Sequence, residues 1–121
     1  MSYNATKAGT YIVYSEGGGA RFAGVTFAGE TFTAKGIDGD TDQKNATLFS
    51  GTKMTVSVGS GSVKYDVSSD GVIAGTLKLD DAGTDNTNDK CIKIAVTEAG
   101  TLEILLNASG SGKNYTIKYA E

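Results

Sequence analysis

The sequence contains no histidine, tryptophan or proline and only one cysteine, and these absences exclude several kinds of chemistry. Without histidine, neither a Ser-His-Asp triad nor an imidazole metal site can form. A single cysteine cannot form a disulfide within the chain or a zinc knuckle. The chain also lacks a run of about 18 apolar residues, so the sequence predicts no helix that spans a membrane.

The charge of the chain limits the choice of partners. Its 121 residues include 11 Lys and Arg and 14 Asp and Glu, which gives a formal net charge of −3 at pH 7. An acidic balance of this kind disfavours a nucleic acid as the main partner, because proteins that bind nucleic acids usually present a basic surface. A positively charged segment followed by an apolar one, typical of a secretion signal, is missing, so any such signal has been removed or was never present. We therefore expect a small domain that works by binding or by assembly.

Hydrophobic periodicity predicts an all-β fold. Apolar and polar residues alternate in five segments, as they do in strands that bury one face. These segments are residues 54–58, 63–67, 92–96, 102–106 and 115–119. Four less regular segments indicate further strands, at residues 11–14, 22–27, 30–33 and 72–79. With glycine-rich turns between them, these eight to ten strands predict a single antiparallel β-sandwich of the jelly-roll type over residues 1–121.

Two acidic segments, residues 36–45 and 80–90, are predicted to be long loops. In the first, Asp38, Asp40 and Asp42 stand at every second position, as in the opening of an EF-hand loop that binds Ca²⁺. The twelfth position of such a loop is Phe49 here, where an EF-hand has a bidentate Glu. Two interpretations therefore stay open: a structural Ca²⁺ site formed by these aspartates, and solvated turns of the kind that Asp and Asn favour.

The alternating pattern also places lysines on the outward faces of the predicted strands. These residues are Lys53, Lys64, Lys78, Lys93 and Lys118. If their strands share one sheet, their side chains form a positive patch that suits a polyanion with regularly spaced carboxylates. The alternative is that they are ordinary solvated lysines, which cover the faces and protect the edges of β-sheets.

Several short motifs resemble those of a known family. They are GTLKLDDAG at residues 75–83, KCIKI at residues 90–94, AGTLEI at residues 99–104 and the Ser/Gly segment at residues 109–116. This succession is similar to that in the β-sandwich carbohydrate-binding modules appended to bacterial pectate lyases. Residues 8–27 resemble the strand pair that closes such modules, so the order of the motifs is rotated. The rotation implies either a circular permutant or one unit of a tandem array.

The resemblance implies a secreted, extracellular bacterial module that binds de-esterified pectin, an acidic polysaccharide, through basic side chains. The positions that match the basic residues of the motif, together with the arginine of the closing strand pair, are Lys78, Lys90, Lys93, Lys113 and Arg21. No catalysis is expected, because every aspartate lies in a turn-like segment or at an outward strand position, and nothing places two of them across a cleft.

A function from another class fits the same sequence. A structural or adhesin-type repeat would assemble through strand exchange or edge pairing, as a homo-oligomer or with tandem neighbours. The rotated order of the motifs and the short polar turns suit this function equally. A monomer that binds polygalacturonate would favour the first function. A polymer that forms as the protein concentration rises, without affinity for the polysaccharide, would favour the second.

Overall fold

The computed structural model describes residues 1–15, 20–36, 42–66, 75–79, 89–108 and 115–120. Within these residues eleven strands form two antiparallel sheets, and the one helical element is a short 3₁₀ turn at Ala34–Gly36. The predicted all-β sandwich is therefore confirmed. None of the helical structure in the described residues has the length and apolar character needed to cross a membrane.

The strands divide into two sheets that we call the front sheet and the back sheet. The front sheet contains β1 (Ser2–Ala5), β3 (Ala20–Phe27), β4 (Glu30–Thr33), β7 (Lys64–Asp66), β8 (Thr76–Leu79) and β10 (Gly100–Ala108). Its order is β1-β10-β3-β8-β7, and β4 pairs with the other half of β3. The back sheet contains β2 (Gly9–Tyr14), β5 (Thr47–Ser50), β6 (Met54–Val58), β9 (Ile92–Val96) and β11 (Thr116–Ala120). Its order is β11-β2-β9-β6-β5.

The core lies between the two sheets and consists of the apolar residues that alternate along the strands. In β6 and β9 every second residue is buried, as predicted, and Val56 and Ile94 are fully shielded from solvent. Phe22, Leu77 and Leu102 face them from the front sheet. Each such side chain contributes about 1.5–3 kcal/mol when it is buried. The alternating apolar residues therefore both indicate the fold in the sequence and supply much of its stability.

Tyrosines close one side of the sandwich, where β1 of the front sheet meets β11 of the back sheet. The ring of Tyr11 makes edge-to-face contacts with the rings of Tyr3 and Tyr119, at centroid distances of 5.6 and 5.2 Å. The Tyr119 hydroxyl donates a hydrogen bond to the carbonyl oxygen of Ala8. Gly9 lies so close to the Tyr119 ring that a Cβ atom there would overlap it. The first and last strands are thus joined through Tyr11.

Phenylalanines close the opposite side, where β4 lies near β5. The ring of Phe32 in β4 stacks on that of Phe22 in β3 and makes a tilted contact with that of Phe49 in β5. Both centroid distances are 6.3 Å. Aromatic pairs at such separations add to the free energy of burial, so this cluster ties the two sheets together at their second boundary.

Glu30 provides a polar link between the sheets on the same side. Its carboxylate accepts hydrogen bonds from the backbone N–H groups of Thr52, Lys53 and Met54, at 2.8, 3.0 and 2.8 Å, in the turn that leads into β6. The Thr52 hydroxyl donates a fourth bond of 2.7 Å. These bonds, that from the Thr52 side chain above all, favour the ionised form and hold the pKa of Glu30 below its ordinary value.

The strands at the sheet edges are the ones that differ from the sequence prediction. Neither β1 nor β5 was predicted, because Tyr and Ala are the only apolar residues of β1 and the two apolar residues of β5 are adjacent instead of alternating. Tyr115, Ile117 and Tyr119 were predicted to face inward; they pack against the core but stay half-buried, since β11 is an edge strand. Of the predicted strand at residues 72–79, Thr76–Leu79 forms β8, and residues 72–74 lie outside the described residues.

Candidate functional site

The predicted ligand-binding residues are divided between the two sheets. Arg21 lies in β3 and Lys78 in β8, both in the front sheet, whereas Lys93 lies in β9 of the back sheet. Lys90 is half-buried just before β9, and Lys113 lies outside the described residues. The structure therefore brings Arg21 and Lys78 together and places Lys93 on a different surface.

Three basic residues stand directly opposite one another across the front sheet. Arg21 in β3 pairs with Lys78 in β8, and Lys78 pairs in turn with Lys64 in β7. Neighbouring strands are about 4.8 Å apart, so the row extends about 10 Å across the strands. We call Arg21, Lys78 and Lys64 the front basic row.

The front basic row faces away from the core. Its neighbours along the strands, Phe22, Leu77 and Tyr65, are all buried in the core. Successive side chains of a strand point to opposite faces of the sheet, so the basic residues project from the outer face. Sequence periodicity predicted this direction for Lys64 and Lys78.

The three cations differ in accessibility. Lys64 is exposed and Lys78 is half-buried. Arg21 has an exposed fraction of only 9%, and both Arg21 and Lys78 have interactions within the protein. Lys64 and Lys78 are therefore more accessible to solvent than Arg21.

The register places cations directly opposite one another. Like charges directly opposite each other in neighbouring strands destabilise a sheet, and here two such pairs follow one another, Arg21 with Lys78 and Lys78 with Lys64. The register thus distinguishes these residues from lysines that are scattered over a solvated face.

The strands of the front sheet contain three acidic residues, of which Asp66 in β7 lies nearest the front basic row. Glu103 in β10 is exposed and lies opposite Thr26 of β3 and Ser2 of β1. Its Oε1 atom accepts a hydrogen bond of 2.5 Å from the Ser2 hydroxyl. Glu30 serves the turn before β6, as described above, and Asp66 pairs in register with Thr76, two positions along β7 from Lys64.

The remaining outward lysines belong to the back sheet. Lys93 in β9 and Lys118 in β11 each pair with Ile12 of β2, which separates them. Lys53 precedes β6, and its Nζ atom forms an exposed ion pair of 2.5 Å with Glu98, which raises the pKa of Lys53. The condition for a single five-lysine patch, one shared sheet, is not met, because Lys64 and Lys78 lie in the front sheet and Lys93 and Lys118 lie in the back sheet.

The residues predicted for Ca²⁺ binding fall mostly in a part of the chain about which the structure says nothing. Asp38 and Asp40 lie outside the described residues, and Asp42 is exposed. Among the residues that the structure describes, no group of three acidic, histidine or cysteine side chains could hold a metal ion. The Ca²⁺ site stays a prediction.

Sequence reasoning found the outward lysines but missed their register. Lys64 was one of five candidates, and no local pattern shows that it stands opposite Lys78, or Lys78 opposite Arg21. Comparison of the chain with protein-family models, curated proteins and solved structures found no match. The resemblance to the modules of pectate lyases therefore stays a prediction.

Proposed function

We propose that this protein is a non-catalytic module that binds an acidic polysaccharide on the outer face of its front sheet. The observation that carries the proposal is the register of Arg21, Lys78 and Lys64 across three neighbouring strands. A polymer of uronic acids presents carboxylates at regular intervals, and a row of cations at regular intervals is its electrostatic complement. The motif resemblance supports polygalacturonate as the polymer.

The interaction is weak for each charge and depends on several charges acting together. An exposed ion pair contributes about 0–1 kcal/mol, so no single lysine explains binding. Several contacts along one polymer, and several modules on one polymer, increase the apparent affinity through avidity. Binding should also decrease with salt, because exposed charges are screened over about 10 Å at 0.1 M ionic strength.

Affinity electrophoresis tests the proposal. The protein is run in gels that contain polygalacturonate, highly methyl-esterified pectin or a neutral glucan, each at low and high salt. We expect retardation by polygalacturonate alone, relieved by salt. The variant Lys64→Gln/Lys78→Gln should lose most of the retardation, and the control Lys44→Gln/Lys53→Gln, which removes the same charge from other exposed positions, should keep it.

Two results would contradict the proposal. One is the absence of retardation of the unmodified protein in any gel. The other is equal retardation of the two double variants, which would show that net charge matters and the row does not. Thermal unfolding of both variants confirms that each is folded, since Lys64 and Lys78 project from the sheet rather than into the core.

Self-assembly through a sheet edge is a second candidate function, favoured by the partly open edge of β10. In this nine-residue strand β1 pairs with residues 100–103, and no described strand pairs with residues 105–108 on that side. Leu105 in this part is 50% exposed. An open edge of this kind can accept a strand from another copy. Sedimentation at increasing protein concentration, without ligand, detects such assembly.

A further inference from the structure

The back sheet carries a second cationic surface. Its five strands contain only two charged residues, Lys93 and Lys118, and no carboxylate. This is notable in a chain whose net charge is −3. The outer face of the back sheet is therefore positive, although the protein as a whole is acidic.

Both lysines project from the outer face of the back sheet. Lys93 lies between the buried residues Ile92 and Ile94, so its side chain points away from the core. Lys118 is in the same cross-strand row, because both lysines pair with Ile12. Two strand spacings of about 4.8 Å separate them, so their backbones are about 10 Å apart.

The surroundings of the pair suit a chain of charged sugars. Ile12, between the two lysines, is half-buried and packs against the buried Tyr14 and Cys91, so the C–H face of a sugar ring can contact only the exposed part of its side chain. The Lys118 Nζ atom lies 5.3 Å from the centroid of the buried Tyr14 ring, a cation–π contact that limits the positions of the ammonium group. We call Lys93, Lys118 and Ile12 the back lysine site.

The back lysine site and the front basic row cannot act on the same stretch of polymer. The two sheets pack about 10 Å apart, with the hydrophobic core between them, and the two sets of cations point in opposite directions. A polymer bound along one outer face leaves the other face open to a second polymer. With this arrangement, one protein molecule can hold two polymer chains at the same time.

From this geometry we propose that the protein is bivalent and bridges two acidic polysaccharide chains, one on each outer face. The inference rests on the proposed function, because it assigns the same class of ligand to both faces. It adds the back lysine site as a binding site and cross-linking as an activity. A mixture of protein and polymer should consequently form a network, although each site is weak by itself.

Turbidity of protein–polygalacturonate mixtures at low salt tests the inference, with binding followed in parallel by affinity electrophoresis. The front variant is Lys64→Gln/Lys78→Gln and the back variant is Lys93→Gln/Lys118→Gln. We expect the unmodified protein to produce turbidity that disappears in high salt. In the gel, the front variant should keep a small part of the retardation and the back variant the larger part. Both variants should lose the turbidity, and the combination of all four substitutions should lose both the retardation and the turbidity.

A charge-conserving variant separates binding from structure at the back lysine site. Lys118→Gln also removes the contact with Tyr14, so a loss of turbidity alone could reflect a change in packing. Lys93→Arg/Lys118→Arg keeps both charges, and arginine also stacks on aromatic rings. It should restore the turbidity. Sedimentation without polymer shows that the turbidity does not arise from self-assembly of the protein.

The outcomes distinguish failure of bivalency from failure of the proposed function. If the unmodified protein is not retarded by polygalacturonate, the proposed function itself is wrong. If it is retarded but produces no turbidity, or if the back variant is as turbid as the unmodified protein, bivalency is wrong and single-face binding stands. Failure of the arginine variant to restore turbidity would also overturn the assignment of the back lysine site.

Discussion

Reversing the charge of Lys64 should make the protein more stable. Lys64 is exposed at the end of the front basic row, where its partner in register is Lys78. Lys64→Glu replaces two opposed cations by an ion pair. A cross-strand pair of opposite charges contributes about 0.2–1 kcal/mol, and the repulsion is lost in addition. We therefore expect a gain of about 0.5–2 kcal/mol, which corresponds to a rise in Tm of about 2–8 °C in a chain of this size.

Thermal and denaturant unfolding at low ionic strength measure this gain. Lys64→Gln removes the repulsion without adding an attraction. Its stability against unfolding should therefore lie between that of the unmodified protein and that of Lys64→Glu. Lys44→Glu, at an exposed position outside the strands, makes the same change in net charge and should give no gain. At 1 M salt, where the Debye length is about 3 Å, the differences should shrink. The reasoning is refuted if Lys64→Glu is less stable than Lys64→Gln at low salt, or if Lys44→Glu is stabilised equally.

Two further predictions concern the links between the sheets and the core. Glu30→Gln should destabilise the protein at neutral pH, because the amide replaces the ionised acceptor of four hydrogen bonds. The pKa of Glu30 is lowered in the folded state, so its contribution is complete above the ordinary value and is lost as the pH falls through the folded pKa. The stability difference between the two proteins should therefore narrow in acid, and a constant difference in urea titrations from pH 7 to pH 3 would contradict this. Ile94→Ala should lower the free energy of unfolding by about 2–5 kcal/mol, because the fully buried side chain leaves a cavity; a loss below about 1 kcal/mol in urea titrations would show that the core collapses around the site.

The fold was predictable from sequence because its main cause is visible there. Strands such as β6 and β9 have a buried residue at every second position, and apolar and polar residues alternate in the sequence with the same period. The same period gives the direction of side chains between the buried ones, which is why Lys64 and Lys93 were correctly predicted to face outward. Two edge strands escaped prediction, because β1 contains few apolar residues and the apolar residues of β5 are adjacent, so neither shows the period.

The sequence predicted which types of residue form the candidate site, but not how those residues are arranged. Which lysines share a surface depends on which strands are neighbours, and β3 and β8 are far apart in the chain. Periodicity says that Lys78 and Lys93 both face outward, without saying that they lie on opposite faces of the sandwich. Arg21 shows the same limit in another way, since its position in an outward row does not reveal that it is 9% exposed.

The joining of the first and last strands to the middle of the sandwich has a consequence for how the protein is made. Ser2 in β1 contacts Glu103, 101 residues later, and β2 takes its two neighbours from β9 and β11. Of the strand pairings among the residues that the structure describes, only those of β3 with β4, β5 with β6 and β7 with β8 join consecutive strands. Such a predominance of distant pairings slows folding, to milliseconds or seconds in domains of this class. During synthesis at about 5–20 residues per second, β2 therefore waits several seconds on the ribosome before any of its neighbours exists.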